Sequence, residues 1–221
     1  PEEVQEANIV NVAAGYDHVL ALSDQGKLYV WGNTRLSQAD IPQKAQRKEF
    51  VQIGASTQYS AALTKDGYLY LWGNGNTADI KVKKDYQNHI VKFALSDYAY
   101  VCLMDDGSVK YTGYNATTSY AQIPEGLESG VTDIAASSTT FAAVDGNGKV
   151  AIWGNVTNGE NDVPEFEGEI REIYGGRYHY TALLDTGKII SWGNNHFGQA
   201  KVPDNLAEGK DCVQDIYVGY Y

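Results

Sequence analysis

The sequence predicts an all-β protein, a β-propeller assembled from blades of about 40 residues with four strands each. Two observations predict it. One motif occurs in five copies at a spacing of 39 to 41 residues, and a recurrence of that length marks a repeat architecture. Each copy also consists of two short apolar runs on either side of a turn, with no 3.6-residue period sustained over ten residues, so the units read as strands rather than helix pairs.

Aligned on a turn glycine, the copies are VLALSDQGKLYVWGN, SAALTKDGYLYLWGN, YVCLMDDGSVKYTGY, FAAVDGNGKVAIWGN and TALLDTGKIISWGN. The glycines are Gly26, Gly67, Gly107, Gly148 and Gly187, and five residues beyond each stands Trp31, Trp72, Thr112, Trp153 or Trp192. Asp-Gly and Asn-Gly between alternating apolar runs are the strongest short-range hairpin signal, because such turns need a positive φ. The same reading assigns Asp145–Gly148 to a hairpin turn rather than to the opening of a calcium loop. Fourteen residues before each glycine lies an apolar residue (Val12, Ile53, Phe93, Ile134, Ile173), and three residues after that a small one (Gly15, Ser56, Ser96, Ser137, Gly176). The expected units are 9–49, 50–90, 91–130, 131–170 and 171–210, with a partial sixth at 211–221, all in one propeller domain. In the third unit Thr112 replaces a large aromatic, and Tyr111 or Tyr114 is expected to fill the space.

Composition narrows the function. At 43% hydrophobic and 20% charged residues, the 221-residue chain has an ordinary globular make-up. Its net charge of -11 argues against nucleic acid or an anionic membrane as partner, since both select clustered Lys and Arg. Cys102 takes a position held elsewhere by Ala21, Ala62, Ala143 and Ala182, and so reads as a packed core residue. It lies nearly three repeats from Cys212, too far for a disulfide. No nucleophile elbow, zincin motif, phosphate loop or paired-cysteine spacing occurs. The chain is therefore expected not to be an enzyme and to use no cofactor and no metal. His18 and His179 share one repeat position and read as structural; His89 and His196 stand alone.

The candidate site is the variable tripeptide after each small residue. Because the framework repeats, these loops must gather on one rim, which makes residues 40 apart in sequence neighbours in space. The residues expected to bind a partner are Tyr16, Asp17, Tyr59, Asp97, Tyr98, Arg177, Tyr178 and Tyr220. Tyr and Arg supply most hot spots at protein interfaces. A second loop set, after Trp-Gly-Asn, carries Phe197 and Tyr120.

The pattern apolar-x-Ala-Ala-Gly-x-x-His-x-Leu-Ala-Leu, then Asp-x-Gly, then Trp-Gly-x-Asn, complete in Val12 to Asn33, resembles the repeat of the regulator of chromosome condensation family. Residues Trp192 to Pro203 are similar to its bacterial branch, which includes a secreted propeller that inhibits β-lactamases. The resemblance implies a seven-bladed ring, of which this chain would be a segment. It also implies an extracellular or cell-surface bacterial protein that binds another protein through the Tyr-bearing rim. The alternatives are a carbohydrate-binding module, a β-lactamase inhibitor and an exchange factor for a small GTPase. The sequence leaves the oligomeric state open.

Overall fold

The computed structural model describes residues 2–74, 81–97, 99–113, 122–211, 213 and 215–219. Five three-stranded antiparallel sheets follow one another along the chain. They are β1 (Ile9–Ala14), β2 (His18–Ser23) and β3 (Leu28–Gly32), then β4 (Phe50–Ala55), β5 (Tyr59–Thr64) and β6 (Leu69–Gly73). The third comprises β7 (Ile90–Leu95), β8 (Ala99–Met104) and β9 (Val109–Gly113), and the fourth β10 (Val131–Ala136), β11 (Thr140–Asp145) and β12 (Val150–Gly154). The last holds β13 (Ile170–Gly175), β14 (His179–Leu184) and β15 (Ile189–Gly193); two short helices are α1 (Glu2–Gln5) and α2 (Asp204–Ala207).

The hairpin glycines turn the chain from the second strand to the third. Gly26, Gly67, Gly107, Gly148 and Gly187 have φ between 75° and 81°, a region that residues with a Cβ rarely enter. The central strands are almost wholly buried, and in the second, third and fourth sheets a neighbouring sheet packs on either side. The hydrophobic clusters accordingly lie between sheets. One joins Leu20 and Leu22 to Phe50, Ile53 and Trp72, and another joins Val144 to Ile173, Tyr180 and Trp192.

The expected fourth strand is not formed among the described residues. Segments 34–49, 155–169 and 194–203 run as turns and open chain. They carry Pro42, Pro164 and Pro203, which have no N–H to donate to a ladder, and they lack apolar alternation. The first two each present a carbonyl to the next sheet. Trp72 Nε1 donates to Gln38 O at 2.9 Å and Trp192 Nε1 to Glu160 O at 2.8 Å. Trp72 and Trp192 thus tie neighbouring blades together as well as filling space.

In the third sheet Tyr111 does not replace the missing Trp. Tyr111 packs edge-on against Phe141 of the next sheet, 5.7 Å between centroids, and Tyr114 lies outside the described residues. The substitute is Tyr100, the cross-strand partner of Thr112. It is buried, and its hydroxyl reaches Lys81 O at 3.4 Å, the same kind of preceding-loop carbonyl that the tryptophans use. Where Thr112 faces Tyr100, the second sheet pairs Trp72 with Ser60, so against that sheet the large and small partners have exchanged strands; the fourth and fifth sheets carry an aromatic on both, Phe141 with Trp153 and Tyr180 with Trp192. Thr112→Trp is therefore expected to destabilise by about 1–3 kcal/mol through overpacking, read as an earlier thermal melt; an unchanged melt would mean that Tyr100 does not fill the site.

The innermost strands β1, β4, β7, β10 and β13 surround a channel of about 610 Å³, with residues 215–218 completing its wall. Tyr217 donates its hydroxyl to Val10 O at 3.2 Å, and Tyr174 Oη lies 3.2 Å from Asp215 Oδ1, which sets this segment between β13 and β1. Among the described residues six inner segments line the channel. Polar side chains link adjacent inner strands. Gln52 bonds both Phe93 O (2.8 Å) and Phe93 N (3.1 Å), Lys92 pairs with Asp133 at 2.5 Å, and Asp133 accepts from Ile173 N at 2.9 Å. The first strand of every sheet has an irregularity in register just before this position.

Candidate functional site

The loops joining first and second strands gather at one mouth of the channel. Gly15, Ser56, Ser96, Ser137 and Gly176, one from each sheet, all line it. Hydrogen bonds run from blade to blade around the mouth. Ser138 N donates to Arg177 O (3.0 Å), Asp97 N to Ser138 O (3.4 Å), and Thr57 N and Oγ1 to Asp97 Oδ1. Residues about 40 apart in sequence are thus direct neighbours.

The small position decides what can follow it. In the two blades where it is glycine, the residue three further on is histidine, and a Cβ on Gly15 would meet His18 Cε1 at 2.4 Å and on Gly176 would meet His179 Cε1 at 2.1 Å. The imidazole occupies the space that serine fills in the other blades. Burial lowers the pKa of both rings below 6.5, in His18 against the pull of Asp17 Oδ1 3.7 Å away. The native state therefore resists protonation that the unfolded chain accepts. This contribution is complete above pH 6.5 and is lost as pH falls through that value. The melting temperature is expected to drop between about pH 6.5 and 5, and a His18→Asn, His179→Asn double variant should lose that part of the slope.

The tripeptides do not expose all their residues. Their third position opens the second strand and is buried in every blade, in His18, Tyr59, Ala99, Thr140 and His179. Tyr59, expected to contact a partner, is only 5% exposed and packs with Ala61, Leu69 and Phe93, so it belongs to the core. Asp17 is exposed but committed: it accepts from Asn33 Nδ2 and from Gln38 Nε2 at 3.2 Å, and the bond from Asn33 holds its pKa below the usual carboxylate value. Asp97 is likewise engaged, with Thr57. Tyr16 stands 66% exposed. Arg177 and Tyr178 are half-buried, with the guanidinium carbon 5.0 Å from the ring centroid, within cation–π range. Tyr98 and Tyr220 lie outside the described residues.

One recurring position lies outside the hairpin and tripeptide motifs. Seven residues after three of the tryptophans stand Gln38, Glu160 and Gln199, whose side-chain oxygens accept from the backbone N–H two residues earlier, in Leu36 (2.9 Å), Asn158 (2.7 Å) and Phe197 (2.8 Å). These bonds close the loops of the opposite end. Phe197 is left 84% exposed at the tip of one, whereas Tyr120 lies outside the described residues. Cys102 is buried, as its alanine-filled repeat position implies. Among the described residues no group of three or more His, Cys, Asp and Glu could hold a metal, and no helix is long and apolar enough to cross a membrane.

Repeated antiparallel sheets set around a channel, with equivalent loops at its mouth, define a tandem-repeat β-propeller. Residues 9–38 and 170–199 match the regulator of chromosome condensation (RCC1) repeat, and solved RCC1 propellers share the fold. Yeast RCC1 (Prp20) in its crystal structure with Kap60 superposes with a TM-score of 0.72 at 20% identity, covering 91% of this chain and 59% of that one. Prp20p from Saccharomyces cerevisiae, described with its binding properties to Gsp1p and histones, gives 0.72 at 21%, covering 91% and 60%. The CRINKLY WD40 ectodomain of an Arabidopsis thaliana receptor kinase gives 0.71 at 19%, covering 98% and 74%. The chain thus spans about 60% of the yeast structures. No curated protein sequence matches it.

Proposed function

We propose that this propeller is a non-catalytic binding module that holds a protein partner through the rim around the channel mouth. The observation that carries the reading is the exposure of Tyr16 on the same rim as the stacked Arg177–Tyr178 pair. Large amphipathic side chains held in place lose little entropy on binding, which is why such residues anchor interfaces. The rim loops are braced by bonds between blades, so the surface is organised before a partner arrives. Solved RCC1 propellers bound to or described with protein partners support a protein as ligand. Of the residues expected from sequence, Tyr16, Arg177 and Tyr178 remain candidates for contact. Asp17 and Asp97 shape the loops, and Tyr59 supports them from beneath.

The chain, immobilised, should capture a protein from an extract of its own source. Titrated with that protein, Tyr16→Ala and Tyr178→Ala should each weaken binding by about 1–3 kcal/mol without shifting the melt. Early melting with normal affinity once folded would make these tyrosines packing residues. Retention of glycans and no protein would transfer the rim to carbohydrate recognition, and accelerated nucleotide release from a small GTPase would transfer it to exchange.

A further inference from the structure

We propose that the outer edge of β3 binds an extended acidic peptide segment, which pairs its main chain with Leu28 and sets its carboxylates against Arg47 and Lys48. Successive residues of a strand direct their backbone groups to opposite edges. Ser23 N donates to Lys27 O and Asn33 N to Asp17 O, so Lys27, Tyr29 and Trp31 face β2, while Leu28, Val30 and Gly32 face away from it. β3 stands at the edge of its sheet. The second and third blades close the start of this edge with a residue eighteen positions further on. Gln87 holds Leu69 at two points, Oε1 accepting from Leu69 N at 2.8 Å and Nε2 donating to Leu69 O at 3.0 Å. Leu127 O accepts from Val109 N at 3.0 Å. In the first blade the matching residue is Gln46, whose side-chain amide donates instead to Ile41 O at 3.2 Å. Leu28 is 8% exposed, and its N–H and C=O have no hydrogen-bond partner among the described residues. An unpaired strand edge of this kind is the template that strand addition uses, the main chain of the added peptide supplying the missing bonds.

The space and the charges select the occupant. A cavity of about 270 Å³ opens beside Leu28, bounded by Gln46, Arg47, Lys48 and Glu49. It admits a short run of extended chain and excludes a folded domain. A second hollow of about 400 Å³ shares Arg47, Lys48 and Glu49 and adds Lys65 and Asp66. Arg47, Lys48 and Lys65 are exposed, and their side chains have no ion pair or hydrogen bond among the described residues. Of the two acids here, Asp66 is engaged by the Thr64 hydroxyl, which leaves Glu49 against three cations. Lys27, also beside the first cavity, is held by Glu3. The local balance is therefore positive in a chain of net charge -11, and it attracts carboxylates. The outer loop of the fourth blade carries Glu165, Glu167 and Glu169 in the same part of the repeat, so that edge repels the peptide the first blade attracts. The site lies on the third strand rather than at the channel mouth, and it does not rest on the rim reading.

The test is an NMR titration of the full chain with N-acetyl-Val-Glu-Val-Glu-Val amide, its Lys counterpart, tripolyphosphate, and two forms of the acidic peptide N-methylated at one or the other set of alternate amides. In the free chain the Leu28 amide should exchange with solvent faster than those of Leu69 and Val109. The acidic peptide should give saturable shifts at Leu28 and Arg47, with the Lys peptide several-fold weaker. One methylated form should lose binding and the other keep it, since only one edge of the added strand pairs with β3. Replacing both cations, Arg47→Gln with Lys48→Gln, should weaken binding several-fold, the size expected of exposed ion pairs, with an unchanged melt. Slow exchange at Leu28 in the free chain, no saturation at millimolar peptide, equal behaviour of the two methylated forms, or the same shifts with tripolyphosphate would each overturn the proposal. Protein capture by the rim is measured separately, so either reading can fail without the other.

Discussion

Gly175→Ala should unfold this protein early, at a cost of about 3 kcal/mol or a melting shift of roughly 6–12 °C for a chain of this size. Gly175 closes β13 in ordinary backbone geometry, so the cost arises entirely between blades. An added Cβ would stand 1.9 Å from Ala136 O, 2.4 Å from Ala136 C and 3.0 Å from Ser137 N. These are backbone atoms of the fourth blade, and they cannot retreat cheaply, because Ala136 is paired with Phe141 and Ser137 N is bonded to Thr140 O. Gly148→Ala is the matched control. Its φ of 77° strains any side chain, but nothing lies within 4 Å of the added carbon, so only about 1 kcal/mol should be lost. Thermal and urea unfolding of the two variants measure the difference, and equal losses would mean that the blades are not packed this closely.

Trp192→Ala should cost about 3–5 kcal/mol, the range for emptying a buried aromatic site. Trp192 is 5% exposed, stacks on Tyr180 with centroids 5.8 Å apart, and donates to Glu160 O. Trp192→Phe keeps most of the volume and removes only that donor, so its loss should fall to about 1–2 kcal/mol. If alanine and phenylalanine were equally damaging in urea titrations, the hydrogen bond rather than the packing would be holding the fourth and fifth blades.

What was legible in the sequence is what the repeat states five times. The hairpin glycines, the tryptophans and the convergence of the tripeptide loops all follow from one motif and its spacing. What was not legible depends on contacts between one repeat and the next. The place of Tyr59 could have been inferred, since it shares its repeat position with Ala99 and Thr140, residue types suited to a core. Residue type alone points the other way, because an exposed phenol suits an interface. Tyr100 as the substitute for the missing Trp required knowing which residue faces Thr112 across the sheet. The fourth strand was expected from the usual form of the blade, whereas prolines and polar residues let those segments run as loops. Gln38, Glu160 and Gln199 recur seven residues beyond a tryptophan, a signal present in the sequence but masked by the change from Gln to Glu.

The most direct test of the rim as recognition face is hydrogen exchange of the chain alone and with its captured protein partner. The rim reading predicts new protection in residues 15–18, 56–58, 96–97 and 176–178, with the loops at 33–38 and 194–199 on the opposite end unchanged. Protection confined to 33–38 and 194–199, around exposed Phe197, would contradict it and place the partner on the other face of the propeller.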